Sequence, residues 1–377
     1  LGRPLTGFSP PPYPYDRLAP RTARAEALAG GLVDLSVGTP FDPPPAAVVA
    51  ALADPDAARA YPPSIGTAGY RAAATGWLQR RLGVTVTADE LAACVGTKEL
   101  VAGIPHWLRL RTPGRDTVLY PSVSYPTYAM GATLAGCRAV PVPVDDGWRP
   151  RLDAIDEADA ERALCLWMNT PGNPAGGLDD LGAAAEWGRS RGVPVLSDEC
   201  YVEFTWAGPP RSILQHGTTG VLAVHSLSKR SNLAGSRVGF YAGDADLVGY
   251  LSEVRKHAGF MPAGPDQAAG AVAWADDVHV RDQRARYRER LDLLAGALRS
   301  CGLDVADPDG AFYLWVRAPH GDAWALATAL ADQAGALVSP GEFYGEAGAG
   351  HVRLAVVQPT ERLAVLADRL AHARLVP

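Results

Sequence analysis

Short apolar runs of strand length recur along the chain, at Thr117–Tyr120, Ala139–Val144, Ala163–Met168, Val193–Ser197, Val221–His225 and Val238–Ala242. Segments whose apolar positions follow a helical period lie between several of them. This alternation predicts an α/β fold with a mainly parallel sheet, because a crossover must join each pair of parallel strands. Residues 1–41 are rich in proline and hold one strand candidate, Leu32 to Val37, so they read as an arm laid over the rest. From about Val280 to Gly302 an Arg- and Leu-rich stretch predicts one long helix. Beyond it, Ala311 to Val316, a helix at Ala323–Ala334, the stretch Val352–Val357 and a last helix from Thr360 predict a smaller α+β unit. The expected organisation is an N-terminal arm over 1–41 that contributes to the small domain, a large domain over 42–279 and a small C-terminal domain over 280–377.

Polar residues cluster where the apolar runs stop. Tyr125, Asn169, Asp198 and Ser226 each follow one such run, and the carboxyl ends of parallel strands are where open α/β sheets bind ligands. Ser197-Asp198-Glu199-Cys200-Tyr201 places a carboxylate at the end of an apolar strand. A lone buried acid costs several kcal/mol, so Asp198 requires a cationic partner, and a protonated pyridine nitrogen meets that need. Asn169-Thr170-Pro171-Gly172-Asn173-Pro174 is a strand followed by a rigid turn that can present the Asn173 amide inward. In Ser124-Tyr125-Pro126-Thr127-Tyr128, Tyr125 is the candidate to lie flat on such a ring, with Tyr128 as its competitor. Taken singly, these are also ordinary turns and packed aromatics.

Ser226-Leu227-Ser228-Lys229, with Arg237 eight positions after the lysine, is the most specific stretch. Lys98, Lys229 and Lys256 are the only lysines among 35 basic residues. An amine held among hydroxyls and a guanidinium can form a Schiff base with an aldehyde cofactor whose phosphate those groups hold, which points to pyridoxal phosphate. Gly96-Thr97-Lys98-Glu99 opens a helical run through Leu110, so the N–H groups of Thr97 and Lys98 would complete a phosphate cup; alone, the motif also fits a plain helix cap. Arg353, in His351-Val352-Arg353-Leu354, can clamp a substrate carboxylate with its planar fork.

Composition narrows the partners. A net charge of −6 with 20% charged residues offers no basic face for nucleic acid or an anionic membrane, leaving a small molecule as the expected partner. The five cysteines are odd in number and show no CxxC spacing, so they read as core thiols of a cytoplasmic protein with no metal site. No apolar run reaches membrane-spanning length, and Leu1 to Pro14 lacks the pattern of a secretory leader.

In order, Gly-Thr-x-x, Tyr-Pro-x-Tyr, Asn-x-Pro-x-Asn-Pro, Ser-Asp-Glu-x-Tyr, Ser-x-Ser-Lys and Val-Arg resemble the class I/II aminotransferases of pyridoxal-phosphate fold type I, from Asp34 to the C-terminal helix. Within that family, the wording of residues 96–100, 197–201, 225–229 and 255–259 is similar to actinobacterial N-succinyldiaminopimelate aminotransferases of lysine biosynthesis. The resemblance implies that Lys229 joins the cofactor's aldehyde, Asp198 binds the pyridine nitrogen, Asn173 and Tyr201 bind the phenolic oxygen, and Tyr125 stacks on the ring. It implies further that Thr97, Lys98, Ser226, Ser228 and Arg237 cup the phosphate, and that Arg353 takes the α-carboxylate beside Asn173 and Gly38. Tyr61 matches a tyrosine lent to the neighbouring subunit's phosphate, hence a homodimer with shared active sites.

The implied reaction moves an amino group between an amino acid, N-succinyl-LL-diaminopimelate or a related carboxylate-bearing one, and a keto acid such as 2-oxoglutarate. Three positions depart from the family's wording: Ala175 stands where Thr or Ser is usual, Gly177 where Arg is, and Ser236 where an aromatic is. These smaller residues read as a widened pocket or a lost substrate contact. They keep open the alternative of β/γ-elimination, replacement or C–C bond formation on a larger amino acid in specialised metabolism.

Overall fold

The computed structural model describes residues 7–375, so the first six residues of the expected arm lie outside the described residues. In chain order the strands are β1 (Val33–Asp34), β2 (Leu91–Cys94), β3 (Thr117–Pro121), β4 (Arg138–Val142), β5 (Ala163–Asn169), β6 (Val195–Asp198), β7 (Val221–Ser226), β8 (Gly239–Gly243), β9 (Tyr313–Arg317), β10 (Ala336–Leu337), β11 (Ser339–Pro340) and β12 (His351–Ala355). Seven of them form one sheet in the order β2-β8-β7-β6-β5-β3-β4. Within it β8 runs antiparallel to both neighbours and every other pairing is parallel. The α/β fold with a mainly parallel sheet is the one the chain adopts.

Central β5 explains the run that announces it: all seven of its residues are buried, as a strand covered on both faces requires. Its side chains alternate between two cores. Leu166 and Met168 join Trp77 and Trp274 on one face, while Cys165 and Trp167 join Ile104 and Tyr128 on the other. Pro141 is tolerated because β4 is an edge strand, where a missing N–H breaks no ladder on the open side. The run that sequence reasoning left out is β2, whose Leu-Ala-Ala-Cys composition carries weak strand propensity and becomes a strand by pairing with β8.

The chain passes from β3 outward to β4 and returns to β5 on the other side of β3. That reversal opens a crevice at the carboxyl ends of the strands. The long helix is Val278–Ser300, and it buries Tyr287, Leu291, Leu294 and Leu298 at helical spacing. It leads to a three-stranded antiparallel sheet, β11-β12-β9, and to helix Ala323–Ala334, whose bounds match the expected ones. The strand expected over Leu32 to Val37 shrinks to two residues, paired with β10. Asp34 causes this: its carboxylate accepts the Ser36 N–H at 2.8 Å and the Ser36 hydroxyl at 2.6 Å, turning the backbone out of the strand. No helix among the described residues is long and apolar enough to cross a membrane.

Candidate active site

Strand ends and one crossing strand build a single cavity of about 460 Å³. Tyr125 comes from the turn after β3, Asn173 from the turn after β5, Asp198 from the end of β6, and Ser226 and Lys229 from the junction of β7 with the short helix Leu227–Arg230. Arg353 reaches it from β12 of the small sheet, and Gly38 from the arm. Thr97, Lys98, Tyr201, Ser228 and Arg237 open onto the same space. Tyr61 does not line it; it stands 95% exposed, ahead of helix Ala68–Leu82.

Asp198 is buried, and its carboxylate accepts the Tyr128 hydroxyl at 3.0 Å and the Cys200 N–H at 3.2 Å. Burial drives its carboxyl above the usual range, against the lowering effect of those bonds and of the Lys229 charge. An acid in this condition fits a protonated ring nitrogen. The helix that begins at Thr127 gives the two tyrosines different surroundings. Tyr128 lies inside that helix, stacks on Trp167 at 5.0 Å and supports Asp198 with its hydroxyl, while Tyr125 faces the cavity.

Lys229 is half-buried and donates from Nζ to the Gly38 carbonyl. Its amine is pushed down to about 8, mainly by burial, with the Arg353 and Arg237 charges adding to the shift and Asp198 opposing it. Arg353 is 2% exposed and lies between the rings of Tyr313 at 4.3 Å and Tyr344 at 4.7 Å. It donates to Asn173 Oδ1 at 2.7 Å and to the Ser36 carbonyl at 2.5 Å, and its Nε has no partner. Because Asn173 Oδ1 accepts from Arg353, the Asn173 amide keeps its NH2 free to donate. Asn169 fixes that turn: its Oδ1 accepts the Asn173 N–H at 2.8 Å and its Nδ2 donates to the Asp198 carbonyl at 2.9 Å.

The other end of the cavity gathers anion-binding groups. Helix Thr97–Arg111 points its N-terminus there, after Gly96 at φ +71°. A Cβ on Gly96 would collide with the Arg237 guanidinium, so this glycine admits the arginine. Arg237 donates to the Ala234 carbonyl at 2.9 Å and to Ser228 Oγ at 3.4 Å, and Ser226 Oγ accepts the Ser228 N–H at 3.0 Å. Hydroxyls, helix N–H groups and a guanidinium thus surround a space suited to a phosphate, while the acid and the amine lie farther in. The donor set fits pyridoxal phosphate at both ends.

Among the cavity residues that sequence reasoning missed are Tyr13 and Tyr15 from the arm, Tyr313 from β9, and Cys200. Cys200 is not the core thiol expected. It lies in the turn just after β6, where its N–H donates to the Asp198 carboxylate, and its Sγ reaches Thr97 Oγ1 at 3.5 Å. Its place two residues after Asp198 was the available signal. The Tyr313 hydroxyl meets the Tyr201 hydroxyl at 2.7 Å, a pairing no local pattern announces.

A Cβ at Gly177 would stand 2.6 Å from the Gly147 carbonyl, so the turn around Gly147 fills that side of the residue. Ala175 packs in a cluster with Trp148 and Tyr344, and Ser236 hydrogen-bonds to Asp266.

The family model described as aminotransferase class I and II matches residues 31–370. A probable aminotransferase of Mycobacterium tuberculosis is 44% identical over 96% of this chain and 85% of that protein. The 4-dedimethylamino-4-oxo-anhydrotetracycline transaminase OxyQ of Streptomyces rimosus is 43% identical over 96% of this chain and 99% of that protein. Among solved structures, a probable N-succinyldiaminopimelate aminotransferase from Thermus thermophilus superposes with a TM-score of 0.85 at 32% identity, over 95% of this chain and 99% of that one.

Proposed function

This chain belongs to the class I and II aminotransferases, pyridoxal-phosphate enzymes of fold type I, and from that premise we propose that its amino donor is a slender, carboxylate-bearing amino acid of the N-succinyl-LL-diaminopimelate kind, with 2-oxoglutarate as the matching keto acid. One observation carries the site assignment: Lys229, Asp198 and Arg353 come from three separate elements and converge on one cavity.

When bound, the cofactor supplies an aldehyde that exchanges amines and a ring that takes up the electron pair left at the substrate's Cα. Lys229 provides the resident amine. Once displaced, its Nζ, with a pKa near 8, takes the Cα proton as general base and can return it on the same side. Asp198, fixed by Tyr128 and the Cys200 N–H, would present a negative charge to the ring nitrogen and keep it protonated. The free NH2 of Asn173 and the Tyr201 hydroxyl would donate to the phenolic oxygen, and Tyr125 would cover the ring. Thr97, Lys98, Ser226, Ser228 and Arg237 would hold the phosphate. Arg353 would take the substrate's α-carboxylate beside Gly38 while its bond to Asn173 Oδ1 keeps that amide oriented.

The Thermus likeness supports the diaminopimelate class. The named relatives are aminotransferases or transaminases, which favours transamination over elimination, replacement or C–C bond formation. We further propose a homodimer in which exposed Tyr61 reaches the neighbouring subunit's phosphate, and a cytoplasmic location consistent with five free cysteines. The test is a glutamate half-reaction followed by spectroscopy, then a screen of N-succinyl-LL-diaminopimelate against unacylated and polycyclic donors. Equal or faster turnover of a polycyclic donor would reject the narrow-substrate reading.

A further inference from the structure

We propose that Glu203 and Arg230, a buried ion pair outside the cavity, are positioning residues that fix Lys229 against Asp198. The inference rests on the reading of Lys229 and Asp198 given above. Lys229 sits in a helix of four residues, Leu227–Arg230, which is too short to hold itself, because the first helical turn orders three residues for a single hydrogen bond. Something outside the helix must set its place.

Arg230 supplies the anchor. It is 2% exposed, and each of its five N–H donors has a partner: Nε to Glu203 Oε1 at 3.1 Å, Nη1 to the Ala273 carbonyl at 2.6 Å and Ser231 Oγ at 3.4 Å, Nη2 to the Asp276 carbonyl at 3.1 Å and Asp277 Oδ1 at 2.8 Å. Glu203 is equally committed. Its Oε1 accepts Trp77 Nε1 at 2.7 Å as well as Arg230, and its Oε2 accepts Arg81 at 2.9 and 3.1 Å. Glu203 belongs to the turn Val202–Phe204, next to Tyr201 and shortly after Asp198 in the chain.

One ion pair therefore couples the segment that carries the ring-facing acid and phenol to the segment that carries the amine. A buried ion pair is a poor source of stability compared with apolar packing of the same volume; what it gives is a fixed geometry. Here the geometry fixed is that of the residue adjoining the reactive lysine.

The test uses the holoenzyme with Arg230→Lys, Glu203→Gln and the double variant. Three readouts apply: the pH titration of the absorbance of the lysine-bound cofactor, the single-turnover rate with glutamate and with α-deuterated glutamate, and the melting temperature. None of the groups that face Lys229, the charged Asp198, Arg353 and Arg237 and the neutral Cys200 thiol, is altered. The expected result is a moved titration midpoint and a proton-transfer step slowed on the order of 10- to 100-fold, with a larger isotope effect and little change in KM. The double variant should lose less than the product of the two single losses. Variants that melt earlier yet keep the wild-type titration and isotope effect would overturn the proposal, leaving the pair a structural rivet. If Arg230→Lys does not fold, Trp77→Phe removes a single donor to Glu203 and is read the same way. Failure of borohydride to trap the cofactor on Lys229 in the wild type would overturn the site assignment itself, a result distinct from any behaviour of the variants.

Discussion

Arg230 has every N–H donor engaged within the fold, whereas Lys229, one residue earlier, donates only to the Gly38 carbonyl and carries an amine lowered to about 8. The same difference separates Glu203, whose two oxygens are held by Trp77, Arg81 and Arg230, from Asp198, which is buried with two hydrogen bonds and no ion pair among the described residues. Both clusters are buried and charged, and they lie on the same two stretches of chain. Spare bonding capacity, not burial or charge, marks the one that handles a ligand. Saturated groups hold geometry; under-satisfied groups are poised to bind.

Substitutions sharpen that contrast. Lys229→Ala should lower the glutamate half-reaction by at least about 10⁴-fold, while the apoprotein's melting temperature holds or rises because a desolvated amine is removed; stopped-flow spectroscopy and calorimetry check the two parts. Arg230→Ala should do the reverse in stability. It takes one partner from Glu203, which keeps Arg81 and Trp77, and one from Asp277, which keeps Arg80, and should destabilise the fold by about 1–3 kcal/mol, read by urea denaturation. Asp198→Asn should slow the half-reaction by roughly 10²–10³-fold through loss of the ring-nitrogen charge, with apoprotein stability unchanged or higher. A marked loss of stability in that variant would break the contrast.

The smallest effect concerns Glu199, on the segment between the two clusters. Burial pushes its carboxyl up to about 7, and its Oε1 accepts the Ile213 N–H at 2.8 Å while its Oε2 lies 3.4 Å from buried His225. The unfolded carboxyl has the ordinary value of 4.5, so between pH 4.5 and 7 the folded state binds a proton that the unfolded chain has released. The contribution of Glu199 to stability should therefore be full below pH 4.5, fall as pH rises to about 7 and level off above it. Glu199→Gln should flatten that slope by roughly 1–3 kcal/mol, checked by thermal melts at pH 5 and 8. Asp179, also pushed up to about 7 by burial, adds a slope of the same sign that the variant keeps.

Much of this site is legible in the chain because strand ends announce themselves. Asp198 and Ser226 terminate apolar runs, and once the runs become parallel strands their carboxyl ends meet at one crevice. Arg353 is legible as a fork on a strand of the small unit. Tyr125 and Tyr128 are not separable by pattern, since both occupy one short motif and only the helix start at Thr127 gives them different directions. Gly177 shows a related limit of pattern: deleting a side chain opens space only if nothing else enters, and Gly147 does. Arg230 gave no signal at all, being one arginine among many, with its partners at positions 203, 273, 276 and 277.

The sequence by itself determined which chemical groups stand at the ends of which strands, because apolar periodicity and turn residues act over a few neighbouring positions. It thereby determined the α/β architecture and the groups available to a pyridoxal cofactor. Only the tertiary structure decided which charges are spent on the protein and which remain free. Hydrogen-bond saturation depends on atoms brought within about 3 Å of one another, and in this chain those atoms come from residues as far apart as Arg353 and Ser36.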